Sequence, residues 1–216
     1  TRMNRREFST QLVAAGLAGS ALVPSALAQG GPVEGKHFVK LGQPLPVQPG
    51  KIEVVEFFWY GCPHCNVFEP ALDAWVKKLP ADVAFRRVPV AFRDEPFVTH
   101  QKIFYALDTM GLIPTMHRKV FYAIHAQRQR LDKPADIAAF MDKNGVDGAK
   151  FMENFNSFSV QTKARQAAKL AADYKIDGVP AIGVHGRYFT SGALAGTTDA
   201  SLVVADHLIQ RVRKGG

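Results

Sequence analysis

The sequence predicts an α/β domain interrupted by a helical insertion, and three observations predict it. From Lys51 to Phe92 a strand-like run, a helix-like run and a second strand-like run follow one another. The next seventy or so residues carry helical periodicity broken by turn residues. Short strands and an amphipathic helix then return.

The N-terminal segment stands apart from that fold. "MNRREFSTQLVAAGLAGSALVPSALAQ" opens with Arg5 and Arg6, continues with an apolar run from Leu12 to Val23, and closes with Ala26-Leu27-Ala28, a signal-peptidase pattern. The run holds Gly, Ser and Pro and is short for a bilayer span. Residues 1–28 therefore read as a cleaved signal peptide, with a membrane anchor as the competing reading. Arg5-Arg6-Glu7-Phe8 resembles a twin-arginine export signal, from whose fuller pattern Asn4 and Ser9 depart, so the export route stays open. No cysteine lies near the cleavage point, which excludes a lipoprotein.

Past the Gly/Pro-rich lead-in, "HFVKL" fits a short edge strand. "KIEVVEFFWY", Lys51 to Tyr60, is dense in β-branched and aromatic residues and fits a buried central strand. A helix should follow, with Pro63 in its first turn. Val67, Phe68, Leu72, Trp75, Val76 and Leu79 recur along it at helical spacing before Pro80. "VAFRRVPVAF", Val83 to Phe92, completes a βαβ unit. Helices are expected near Phe97–Met110, Pro114–Gln127, Pro134–Asn144, Gly148–Asn154 and Ser159–Tyr174, with breaks at Gly111, Asp132 and Gly145. In "AIGVHGRYFT" two short strands flank a turn at His185-Gly186. Leu202, Val203, Ala205, Leu208, Ile209 and Val212 then mark a final amphipathic helix. Residues 36–93 and 175–213 make the α/β domain, and residues 94–174 the inserted helical domain.

Composition narrows the function classes. With 47% hydrophobic and 21% charged residues, the chain has the make-up of an ordinary soluble protein. Removing residues 1–28 takes away three Arg and one Glu and lowers the formal net charge from +8 to +6. The remaining cations are scattered along helical stretches, with no basic block and no aromatic platform between them, so no nucleic-acid partner is expected.

The chemistry centres on Cys62 and Cys65, the only two cysteines of the chain. A structural staple fails on magnitude: a disulfide stabilises more as the loop it closes grows, and two intervening residues give little. So small a ring is also strained and easily reduced. A structural zinc site needs four ligands, and the seven histidines lack ligand spacing, so no metal is expected. Haem attachment needs His after the second cysteine, where Asn66 stands. A redox pair fits instead. Cys62 lies where a strand gives way to a helix, so free N–H groups and the helix dipole favour its thiolate. Pro63 sets the first helical angle, and a cationic or donating His64 adds to that anion's stability. Cys62 should then be the exposed attacking sulfur and Cys65 the shielded resolving thiol. "DGVPAIGVHGRYF" sets Val179-Pro180 before the returning strand. A cis bond there would bring the Val179 backbone beside the cysteines, whereas an ordinary trans strand start is the alternative.

Glu56-Phe57-Phe58, Cys62-Pro63-His64-Cys65, Phe68-Glu69 and Gly178-Val179-Pro180-Ala181 together resemble the DsbA family of thioredoxin-fold protein thiol oxidases of the bacterial cell envelope. The resemblance covers about Phe38 to Arg213. It implies a thioredoxin fold with a helical domain inserted between its halves, and a periplasmic protein. It also implies Cys62 as nucleophile, Cys65 as resolving thiol, His64 as tuning residue, Pro180 as the cis-proline, and Val179 as the residue presenting its backbone to substrate. Glu56 resembles the buried acid that moves the proton of the second cysteine. Glu69 is either a second electrostatic contributor or a surface carboxylate, and Trp59 and Tyr60 line a peptide groove or pack in the core. Gly61 before Cys62, "AFRDEPF" and "FNSFSV" do not align with the family pattern, which leaves groove shape and substrate preference open.

The implied reaction donates the Cys62–Cys65 disulfide to reduced exported polypeptides through a mixed disulfide. A quinone-linked membrane protein of the DsbB type would reoxidise a monomeric enzyme that needs no nucleotide, flavin or metal. The rivals are a thioredoxin-like reductase, which usually lacks the long insertion and the Pro-His pair, and a non-catalytic peptide-binding chaperone, which has no need of the cysteines. A dimeric isomerase does not fit, because only about thirty residues separate Ala28 from Cys62.

Overall fold

In the computed structural model residues 30–216 are described, and the expected signal peptide, residues 1–28, lies outside the described residues. The short strand β1 (Val39–Lys40) precedes the central strand β2 (Ile52–Phe58), which is buried along its length except at Glu53. Helix α1 (Pro63–Val76) links β2 to β3 (Val83–Pro89), which runs parallel to β2. After the helical insertion come β4 (Ala181–Val184) and β5 (Tyr188–Ser191). The sheet order is β1-β5-β4-β2-β3, with every pairing but β2–β3 antiparallel. One-turn helix α7 (Gly192–Ala195), not expected from the sequence, leads into α8 (Thr198–Arg213).

Alternation along β2 decides what lies on each side of the sheet. Ile52 and Val54 pack with Phe68 and Leu72 of α1 and with Leu202, Ala205, Leu208 and Ile209 of α8. Val55 and Phe57 face the other layer, against Ala167, Ala171 and Tyr174. Glu56 shares the parity of Val54, so the strand carries a carboxylic acid into the layer beneath α1. The β4–β5 turn needs a left-handed backbone: His185 and Gly186 have φ of 52° and 62°, and Arg187 N–H donates to Val184 O at 3.0 Å. A side chain at Gly186 would also run into the Leu45 carbonyl.

The insertion consists of α2 (Phe97–Thr109), α3 (Ile113–His125), α4 (Pro134–Lys143), α5 (Gly148–Phe155) and α6 (Phe158–Asp173). Gly111 and Gly145, at φ 70° and 80°, end α2 and α4 as expected. Asp147, Ser157 and Thr197 cap α5, α6 and α8 by accepting the N–H groups of Lys150, Val160 and Ala200. The apolar core of α2–α5 runs without a break into Phe58, Tyr60, Cys62 and Cys65, so the cysteine pair lies at the seam between sheet and insertion.

One expectation on α1 fails. Val67, placed on the apolar stripe, is 75% exposed, and the buried stripe is Cys65, Phe68, Glu69 and Leu72. Positions 65, 68, 69 and 72 follow helical spacing better than 67, 68 and 72 do.

Candidate active site

Backbone geometry brings the cysteines to the seam. Cys62 is the N-cap of α1, extended at φ −83° and ψ 117°, and its sulfur accepts the Cys65 N–H at 3.4 Å. Its N–H donates to Trp59 O at 2.9 Å, which closes the turn between β2 and the helix. Gly61 lies in that turn, and its role is steric. The Trp59 indole lies where a side chain at 61 would go, and it stacks on Phe97 with ring centroids 4.0 Å apart. Trp59 is half-buried in this stack, whereas Tyr60 is fully buried in the core.

The two sulfurs differ. Both cysteines are free thiols, Cys65 fully buried and Cys62 7% exposed. The expectation of an exposed Cys62 is thus corrected: the residue is nearly covered, and its thiol donates to Val179 O at 3.5 Å. A hydrogen bond from the Cys65 thiol, against the opposing effect of burial, lowers the Cys62 thiol from 9.0 to about 6; the N–H groups of Cys65 and His64 and the His64 charge add smaller effects. Burial, the hydrogen bond with Cys62 and the charges of Cys62 and Glu56 push the Cys65 thiol far up. His64 itself is exposed, and its imidazole is the smallest of the causes acting on Cys62. The Val179–Pro180 bond is cis, and the Val179 carbonyl faces the nucleophile. Beside it a cleft of about 460 Å³ is lined by His64, Val179, Pro180, Phe189, Ala193 and Thr198.

Beneath α1 lies a charged cluster that sequence reasoning found only in part. Glu56 and Glu69 are both fully buried, so the surface reading of Glu69 falls. Residue 87 pairs with residue 56 in the β2–β3 register and carries a single guanidinium into the cluster. Arg87 Nη2 donates to Glu69 Oε2 at 3.0 Å and to Asp73 Oδ1 at 2.7 Å. Its Nε is 3.1 Å from Glu56 Oε2 but is not aimed at it, and neither Glu56 oxygen accepts a hydrogen bond. Burial and the Glu69 charge therefore raise the Glu56 carboxyl well above the usual range, with Arg87 only partly offsetting them. Burial also works to raise Glu69, but the His117 ring N–H and Arg87 outweigh it and hold that carboxyl low. His117 reaches the cluster from α3: Nε2 is 3.2 Å from Glu69 Oε1 and Nδ1 is 2.8 Å from Tyr60 Oη. Burial lowers the imidazole below its ordinary value, against the hydrogen bond and charge of Glu69, which work to raise it.

Arg87, Asp73 and His117 were missed. A signal existed for two of them. "RR" interrupts an apolar strand, and His117 sits at helical spacing with Met116, Val120 and Phe121 on the buried face of α3.

Comparison with known proteins agrees with this geometry. The DSBA-like thioredoxin domain family matches residues 53–203. The thiol:disulfide interchange protein DsbA of Burkholderia cepacia is 44% identical over 211 residues, covering 97% of this chain and 98% of that protein. DsbA of Pseudomonas aeruginosa is 44% identical over 180 residues, 83% of this chain and 85% of that protein. A crystal structure of Pseudomonas aeruginosa DsbA superposes with a TM-score of 0.81 at 43% identity, over 85% of this chain and 95% of that one. With its cysteine pair at a helix N-terminus and five helices set between the halves of its sheet, the chain belongs to the DsbA-like thioredoxin family.

Proposed function

We propose that the chain donates its Cys62–Cys65 disulfide to reduced exported polypeptides. The observation that carries this direction is the asymmetry of the reduced pair: a Cys62 thiol lowered to about 6 beside a Cys65 thiol pushed up. A stabilised thiolate favours the reduced form, and a favoured reduced form makes the disulfide an oxidant. A substrate thiolate attacks Cys62 Sγ, the S–S bond breaks, and Cys65 leaves and takes a proton. A second substrate thiolate then attacks the substrate sulfur of the mixed disulfide, releasing oxidised substrate and the Cys62 thiolate. Two electrons pass to the enzyme.

Val179 and Pro180 floor the cleft beside Cys62, and the Val179 backbone is suited to bond an extended peptide. His64 and Pro63 serve the nucleophile, and Glu56 serves the proton of Cys65. Reoxidation falls to a quinone-linked membrane protein of the DsbB type, and the enzyme acts as a periplasmic monomer exported by residues 1–28. Residues 36–93 and 175–213 act as the thioredoxin-like domain, with 94–174 as the insertion. Among the described residues no helix is long and apolar enough to cross a membrane.

The test is the equilibrium reduction potential of the mature protein against a glutathione buffer. A value well above the glutathione couple is expected. A value near the thioredoxin end of the scale would reassign the protein as a reductase.

A further inference from the structure

Two buried carboxyls, Glu56 and Glu69, share the neighbourhood of one guanidinium, and their hydrogen bonds are unequal. Glu69 accepts from Arg87 Nη2 on one oxygen and faces His117 Nε2 with the other. Glu56 accepts nothing. The tautomer of His117 decides what Nε2 offers. Tyr60 Oη lies 2.8 Å from Nδ1, and a phenol that donates there leaves the ring proton on Nε2, aimed at Glu69. The rings of Phe58, Tyr60, Phe104 and Phe121 surround the imidazole with centroids within 5.9 Å. His117 therefore has no other polar partner.

We propose that His117 of α3 is a positioning residue: by donating to Glu69 it fixes the negative charge there and keeps the proton of the Glu56–Glu69 pair on Glu56, within electrostatic reach of Cys65. The inserted helical block thus reaches into the proton chemistry of the thioredoxin half. This assignment rests on the thiol-exchange function above. When a substrate thiolate breaks the Cys62–Cys65 bond, Cys65 leaves with the electron pair. Glu56 then supplies the proton that turns the leaving thiolate into a thiol, and becomes a carboxylate to be reprotonated from solvent. The charged and titratable groups facing His117 and this pair are Tyr60 from the β2–α1 turn, Glu56 from β2, Arg87 from β3, and Cys65, Glu69 and Asp73 from α1; α2 offers only Phe104. Buried like charges cannot both ionise beside one cation at low cost, which is why the position of a single donor decides the outcome.

Two readouts test this in the full-length mature protein. The first is the infrared band of a protonated carboxyl, which needs no turnover and so fails separately from the thiol-exchange function. Aspartate variants keep both charges and move only the band of the acid that carries the proton. In the unaltered protein the band should shift in Glu56→Asp and stay in Glu69→Asp. In a His117→Phe background it should shift in Glu69→Asp instead. The second is the rate at which glutathione reduces the disulfide across pH. His117→Phe should slow it about tenfold and displace its pH profile, because part of a general-acid contribution is lost. His117→Gln, which keeps an N–H donor, should recover most of that loss. A band that shifts in Glu69→Asp of the unaltered protein and stays in Glu56→Asp overturns the proposal. So does a His117→Phe variant with the parent rate and profile, or a Gln variant as slow as the Phe variant. If His117→Phe does not fold, the two Glu variants still decide where the proton sits.

Discussion

At the scale of single residues, Cys62 owes its acidity to backbone and sulfur more than to the imidazole beside it. The hydrogen bond from Cys65 acts most strongly, burial opposes it, the N–H groups of Cys65 and His64 follow, and the His64 charge comes last. The His64 side chain is exposed, where water and salt screen its charge. His64→Ala is therefore expected to raise the Cys62 thiol, but by less than about one unit, since an exposed charge pair is worth at most about 1 kcal/mol. Thiolate absorbance titrated against pH measures it. A larger rise would return the leading role to the imidazole, and no rise at all would leave it none. Glu56 shows the same dependence on surroundings from the other side. Burial and the Glu69 charge raise its carboxyl, although a cation stands 3.1 Å away.

At the scale of elements, the turn between β2 and α1 aims the nucleophile, and Trp59 holds the turn. Its indole covers Gly61 and stacks on Phe97, so turn and insertion are pinned together in front of the cysteines. Gly61→Ala puts a methyl group into that ring. The expected cost is about 1–3 kcal/mol of stability in urea, with altered Trp59 fluorescence reporting the displaced ring. Unchanged stability and fluorescence would show that the indole moves aside freely. How much of this could be read in the sequence follows from the same elements. β2, α1 and β3 were legible because β-branched runs and a C-x-x-C pair between strand and helix are local signals. The five inserted helices were legible from their helical periodicity, with Gly111 and Gly145 marking the ends of α2 and α4. The charged cluster was not, because it is a matter of register. Only the pairing of residue 56 with residue 87, and the docking of α3 on α1, bring Arg87 and His117 to the acids. Val67 misled for a related reason, since an apolar residue beside an active site need not face the core, whereas Glu69 on the true stripe is polar and buried.

For the whole molecule, the same thiol links redox state to stability. In the folded reduced protein Cys62 titrates at about 6, against 9.0 for the free group. Between those values the unfolded chain binds more protons than the folded one, so the stability of the reduced form rises with pH across that window. It is fully present above 9 and is lost as pH falls through 6. Cys65, pushed up, stays protonated in the folded chain and begins to ionise in the unfolded chain only as pH nears 9.0, so it flattens the rise at the top of the window without reversing it. The oxidised protein has neither thiol and lacks this dependence. The stability of the reduced form relative to the oxidised form should therefore grow as pH rises from 6 to 9. Urea unfolding of both redox forms across that range measures it directly. The thermodynamic cycle connects this difference to function, because whatever stabilises the folded reduced form over the folded oxidised form also drives the disulfide onto a substrate. A difference that stays flat or shrinks with rising pH would remove the Cys62 thiolate as the source of the driving force, whatever the potential turned out to be.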